Sequence, residues 1–163
     1  MNTARKIRRC AILFVEPRDG FDLDLAGLFS GRDAAVARTR WVALAPHLAD
    51  EVELEMDEMT ALGRIGSGAW IDADERTLTS DVLERLIAKG LVVVEGDAAA
   101  SARDEQLRAS HWSPLAAASH YFSRWTDAGM DGRAEVSLRH SLADIVDEFG
   151  MPPPHVVEKS GAR

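Results

Sequence analysis

The side chains that could carry chemistry in this 163-residue chain are five histidines, one cysteine and 27 carboxylates. The histidines are His47, His111, His120, His140 and His155. None has a second histidine or cysteine at the spacing of a zinc motif such as H-E-x-x-H, so we predict no metal site. Cys10 begins the apolar run that ends at Val15, which favours a buried, unreactive thiol over a nucleophile.

Phosphate-binding and hydrolase motifs are also absent from the sequence. It contains no Walker loop, no G-x-G-x-x-G and no G-x-S-x-G. Gly63 to Gly68 is rich in glycine, but it follows a predicted helix, so a helix end and a loop explain it better than a phosphate cradle. Acidic pairs such as Asp72 and Asp74 are common here and indicate a solvated face. We therefore predict no catalytic residue.

One short segment, residues 119–125, concentrates aromatic, basic and hydroxyl side chains. Two interpretations stay open for it. In the first, Phe122 and Trp125 belong to the core and the polar side chains line another helix face. In the second, His120, Ser123 and Arg124 belong to an interface, because Tyr, Trp and Arg dominate interface hot spots.

Composition and charge narrow the class of protein. Apolar residues make up 46% of the chain, enough for a core, and the net charge is −8. Residues 41–100 hold four basic and thirteen acidic side chains, which would repel nucleic-acid phosphates. No apolar run approaches the roughly 18 residues of a membrane span. We expect a cytoplasmic protein that binds neither nucleic acid nor membrane.

Hydrophobic periodicity predicts strands in the first third of the chain. Arg8 to Glu16 reads as one strand that is apolar on both faces, and Arg40 to Leu48 and Glu51 to Glu55 read as two more. The stretch from Phe21 to Gly31 fits either a strand or a short helix. A helix follows from Met56 to about Gly66, with apolar residues on one face.

The clearest helix runs from Thr79 to Lys89. Thr79 or Ser80 can cap it, and Gly90 suits the position after its C-terminus. A strand from Leu91 to Glu95 follows at once. A helix, a glycine and a strand in this order are typical of the end of a winged helix-turn-helix, in which the strand opens the wing. We therefore predict an α+β fold, a winged helix-turn-helix-like domain with a small antiparallel sheet and additional C-terminal helices.

The rest of the chain is predicted to be helical. Ala98 to Ala102 reads as a wing tip or linker, and helices are expected from Ser113 to before Gly129 and from Ser137 to Phe149. Met151 to Pro154 is stiff and extended. The predicted organisation is a recognition domain at 1–97, a helical extension at 98–150 and a flexible Pro-rich tail at 151–163.

Two stretches resemble the N-terminal part of the SagB-type peptide maturation dehydrogenases. They are Arg8-Arg9-Cys10-Ala11-Ile12-Leu13-Phe14-Val15-Glu16-Pro17-Arg18 and His111-Trp112 with the helix that follows, where Ser119-His120-Tyr121-Phe122-Ser123-Arg124 matches a Tyr-His-x-x-Ser-Lys/Arg segment at three positions. The resemblance implies azoline oxidation with FMN by a flavin domain beyond Pro154, whose arginine-rich start this chain lacks. The resemblance thus implies that this chain is the front module, which holds no cofactor and is not catalytic alone. It would be either a fragment or a standalone protein.

Such front modules are similar to PqqD-like recognition elements. By that resemblance, the leader of a precursor peptide would add a strand to the sheet and pack against the third helix. The candidate peptide-binding residues are then Val52 and Leu54 on the edge strand and Arg85, Leu86 and Lys89 on the helix, with the two basic residues facing an acidic leader. A cyclodehydratase or a second copy of the chain would be a further partner.

Two alternatives remain open. The first is a winged-helix DNA-binding transcriptional regulator, although the would-be recognition helix has no net positive charge, with Asp81 and Glu84 against Arg85 and Lys89. The second is a small enzyme or flavin-binding subunit completed by a partner, for which the sequence shows no convergent nucleophile, base and oxyanion donor.

Overall fold

The computed structural model describes residues 5–18, 40–66, 68–74, 78–127 and 138–150. These ranges contain six strands and five helices, which confirms the α+β class. The strands are β1 (Lys6–Arg9), β2 (Phe14–Arg18), β3 (Arg40–Leu44), β4 (Val52–Leu54), β5 (Ile71–Asp72) and β6 (Val92–Val94). The helices are α1 (Met56–Ile65), α2 (Ser80–Ala88), α3 (Ala98–Ala109), α4 (Pro114–Asp127) and α5 (Leu138–Phe149).

The strands form two three-stranded antiparallel sheets, in the orders β5-β1-β6 and β2-β3-β4. The single strand predicted from Arg8 to Glu16 is therefore wrong, since β1 and β2 belong to different sheets. The ladder of β1 with β6 extends to Cys10, whose N–H donates to the Leu91 carbonyl, and it ends there because the N–H of Ala11 donates to the Asp104 carboxylate. The segment is apolar on both faces because both of its faces enter a core.

The strand β6 does not open a wing hairpin, which corrects the local prediction. Its partner is β1, with Ile7 opposite Val94, and the chain then enters α3. The carboxylate of Asp97 accepts a hydrogen bond from the N–H of Ala100 and so caps that helix. Ala98 to Ala102 is thus the first turn of a helix rather than a wing tip or linker, as the high helix propensity of alanine favours.

Both helices beside the first core begin where the sequence predicts. Thr79 caps α2, since its side-chain oxygen accepts a hydrogen bond from the N–H of Val82, and Gly90 follows the helix with a φ of 73°. The helix α1 starts with a capping box, in which Glu55 and Glu58 each accept a hydrogen bond from the other's backbone N–H.

Two groups of buried side chains hold these elements together. The first lies between the two sheets and the helices α1 and α2, and includes Ile7, Leu62 and Leu86. The second joins the helices α3 to α5 to the turn between β1 and β2 and to the end of β3: Leu107, Ala117, Leu142 and Ile145 pack with Ala11, Ile12 and Leu44. The helices α3 to α5 therefore share a core with the N-terminal strands.

Two predictions concern residues outside the described ranges. They are the strand or short helix at Phe21 to Gly31 and the tail at 151–163. Among the helices that the structure describes, none is long and apolar enough to cross a membrane.

Candidate functional site

The outer edge of β4 is the sheet margin best placed to receive another strand. Of the other edge strands, β2 contains Pro17, which lacks an N–H donor, β5 is only two residues long, and β6 is packed by α3. The side chains of Val52 and Leu54 are buried, whereas that of Glu53 is exposed. The two apolar residues that the sequence singled out thus anchor the strand in the core, and only its backbone edge and its outer face can meet a ligand.

Lys89 joins the β4 edge to the last turn of α2. Its ammonium donates to the Glu53 carbonyl oxygen at 2.9 Å and to both carboxylate oxygens of Glu58 at 2.7 and 2.8 Å. Because the N–H and C=O of one strand residue point to the same side, the backbone of Glu53 faces α2 rather than β3. The side chain of Lys89 thus covers this edge, as lysines commonly do on edge strands.

The neighbouring backbone groups on this edge are also engaged by side chains. The N–H of Glu51 donates to the carboxylate of Asp50 at 2.7 Å, and the N–H of Glu55 donates to Glu58 at 2.8 Å. The edge is therefore protected by charged side chains and not by another strand among the described residues. Among the described residues, the side chain that a ligand strand would displace at the Glu53 carbonyl is that of Lys89.

Arg85 pairs with four carboxylates, those of Glu55, Asp57, Glu58 and Asp81. Its guanidinium is 2.7 Å from Glu55, 2.5 Å from Asp57 and 3.1 Å from Glu58. The hydrogen bond with Asp57 raises the pKa of Arg85 and lowers that of Asp57. Arg85 and Lys89 were assigned to an acidic leader, and both are already paired with the chain's own carboxylates.

Leu86, the remaining helix candidate, has no exposed surface and belongs to the first core. Its side chain therefore positions α2 and does not reach a ligand in this conformation. The sequence could not distinguish it from the partly exposed Ile87 beside it, because both belong to the same apolar stripe.

Among the described residues, Glu58 and Asp104 are the two buried carboxylates, and neither was predicted from the sequence. Asp104 accepts the N–H of Ala11 at 2.7 Å and pairs with Arg8 and Arg108, both at 2.8 Å. The guanidinium of Arg8 also lies 4.3 Å from the ring centroid of Trp70. The spacing of Asp104 and Arg108, four residues apart on α3, and the capping-box spacing of Glu55 and Glu58 were the available signals.

The histidine-bearing segment forms a contact between α4 and α5. Nε2 of His120 lies 2.8 Å from Asp144, and the ring packs edge-on against Trp112 with centroids 5.5 Å apart. The indole N–H of Trp112 donates to Glu148. Ser123 is exposed, and the Arg124 side chain lies outside the described ones. His120 and Trp112 thus fasten the two helices together, while the interface role of this segment stays a prediction.

The thiol of Cys10 is buried, as expected from the sequence. Burial raises its pKa to about 12, and the charge of Asp104 adds to the rise. We expect no reaction with a thiol reagent at pH 8 in the native state and one reactive thiol after unfolding. Because the unfolded thiol ionises near pH 8.5, the contribution of Cys10 to stability should be constant below that pH and should fall as the pH rises towards 12.

Urea unfolding curves at pH 8 and pH 10.5, compared with those of Cys10→Ala, measure this effect. Between these two pH values, the free energy of unfolding of the variant should fall less than that of the wild type, because the variant has no thiol to ionise. Rapid labelling of the native protein at pH 8 would contradict the buried position.

Five basic side chains that the structure describes are each paired with a carboxylate, namely Arg5, Arg8, Arg85, Lys89 and Arg108. Within the described ranges, no three His, Cys, Asp or Glu side chains are grouped so that they could hold a metal. No family model, curated protein or solved structure matches the sequence.

Proposed function

We propose that this chain is a non-catalytic peptide-recognition module, which binds the leader of a ribosomally made precursor as an added strand on the β4 edge beside α2. The observation that carries the proposal is the position of Lys89. Its ammonium donates to the Glu53 carbonyl, which is the acceptor that the N–H of an added strand would use. Lys89 lies at the C-terminal end of α2, the helix that would form the wall of the groove.

The order of the elements supports the same proposal. Three antiparallel strands, β2 to β4, precede α1 and α2, and β4 is the edge strand that lies next to α2. The finer fold that we propose is winged-helix-like but without a wing hairpin after β6, with α1, β5, α2 and β6 in sequence and β1 as the central strand between β5 and β6. This arrangement agrees with the resemblance to front modules of peptide-modifying dehydrogenases.

An exposed apolar side chain lies next to the proposed groove. Met56 is 54% exposed, one of two large hydrophobic residues with such exposure among the described ones, and it follows β4 after a single residue. A peptide on the edge could cover it. Main-chain hydrogen bonds would then supply affinity and contacts with such side chains would supply selectivity.

The electrostatics of α2 favour this function over DNA binding. A recognition helix neutralises phosphates with basic side chains, but Arg85 and Lys89 are held by carboxylates of α1, of its N-cap Glu55 and of α2. A duplex would therefore meet a surface whose positive charges are already compensated.

Two substitutions at one position test the edge. Glu53→Pro removes the outward N–H and blocks an added strand, and proline is tolerated on edge strands. Glu53→Gln loses the same charge but keeps the N–H. We expect the precursor leader from the same gene cluster to bind the wild-type chain and Glu53→Gln, and to bind Glu53→Pro at least about tenfold more weakly.

Isothermal calorimetry gives the affinities, and circular dichroism and thermal melting verify that both variants fold. Absence of leader binding at about 100 μM to the folded wild type, well weaker than a typical specific interface, would overturn the proposal. Equal affinities of the proline and glutamine variants would show that the ligand binds somewhere other than the β4 edge.

A further inference from the structure

We infer that the strand accepted by the β4 edge is a cationic one, with lysine or arginine at alternate positions. This inference rests on the proposed function and names the chemical class of its ligand. It departs from the expectation of an acidic leader, which assumed that the charges of Arg85 and Lys89 were available.

The charge of the edge itself comes from the β4 strand and its flanks. Residues 53–58 contain four carboxylates and no basic side chain. The cations that contact this stretch, Arg85 and Lys89, come from α2 and its C-terminal cap. Four negative charges against two positive ones leave this rim of the groove negative, which attracts a cationic partner.

The spacing of the acids gives the pattern of the ligand. Glu53 and Glu55 are two residues apart, so they share one face of the extended segment, while Val52 and Leu54 on the other face are buried. An added strand places its own side chains opposite these positions at the same period. Opposite charges across two strands stabilise the pair and like charges destabilise it, so lysine or arginine is favoured there and acids are rejected.

Lys89 is an example, within the chain itself, of a cation bound at the β4 edge. Its ammonium is bound by a backbone carbonyl of β4 and by the buried carboxylate of Glu58 at the same time. When a ligand N–H takes the carbonyl of Glu53, Lys89 keeps Glu58 and its charge remains compensated. The arriving strand therefore gains no positive partner from α2, and its acidic residues would face glutamates only.

A selection from a randomised ten-residue peptide library tests the inference without knowledge of the natural ligand. The library is selected on the wild-type chain, and peptides that also bind Glu53→Pro are removed. The expected survivors carry lysine or arginine at alternate positions. Their synthetic copies should lose about tenfold or more in affinity when these residues become glutamate, and the loss should shrink between 50 and 300 mM salt.

Glu53→Gln should weaken the lysine peptide several-fold. Glu95→Gln is the matched control, because Glu95 is an exposed carboxylate next to β6 in the other sheet, and it should leave the affinity unchanged. Survivors that are acidic or neutral would overturn the inference but leave the peptide-binding function intact. A selection without any survivor that depends on residue 53, or pairing of two copies of the chain at this edge in sedimentation, would overturn both.

Discussion

Replacement of Asp104 by alanine should lower the free energy of unfolding by about 3–5 kcal/mol, the usual cost of removing one partner of a buried ion pair. Asp104 is 2% exposed and joins three parts of the chain: it accepts the N–H of Ala11, contacts Arg8 from β1 and contacts Arg108 on its own helix. Its loss leaves the buried guanidinium of Arg8 with one exposed partner, Glu105. Urea unfolding followed by circular dichroism measures the change.

The matched control for Asp104 is Glu105→Gln. Glu105 pairs with the same arginine, but its side chain is 62% exposed, so the expected loss is at most about 1 kcal/mol. Equal losses for the two variants would show that the charge on Arg8, and not the burial of Asp104, determines the effect.

Replacement of Glu58 by alanine should cost about 3 kcal/mol, because this buried carboxylate compensates Lys89 and Arg85 and also caps α1. Glu58→Gln keeps the capping geometry, since glutamine suits the same capping-box position. It removes only the charge, and its loss should be smaller, about 2 kcal/mol. Thermal and urea unfolding of both variants separate the cap from the ion pairs.

Glu84→Ala is the control for the Glu58 series. Glu84 pairs with Arg5, and both side chains are more than half exposed, so its loss should cost less than about 1 kcal/mol. A Glu58→Ala variant as stable as Glu84→Ala would mean that water replaces the buried carboxylate without penalty, which contradicts the buried position.

The elements that could be predicted from the sequence are those with complete local signals. The helix α2 has a capping threonine, an apolar stripe and a following glycine, and the structure gives it the predicted ends. The ends of β1 and β2 could not be predicted, because a bond from Asp104, more than ninety residues away, interrupts the ladder at Ala11. Periodicity describes which face is buried but not which sheet a strand joins.

The candidate site shows the same division between local and distant information. The edge strand β4 follows from the alternation of Val52 and Leu54 with acids, and the helix that flanks it follows from its own pattern. The state of Arg85 and Lys89 does not, because their partners Glu53, Glu55 and Glu58 come from other elements. A basic residue in a sequence looks available for a ligand until the fold shows which carboxylate it meets.

The central place of β1 between β5 and β6 bears on how the molecule is made. Of the described strands, β1 is synthesised first, and it lacks its sheet neighbours until residues 71–72 and 92–94 have followed. Contacts so distant along the chain slow folding. Proteolytic loss of residues 6–9 would therefore remove the central strand of this sheet and not merely an edge strand.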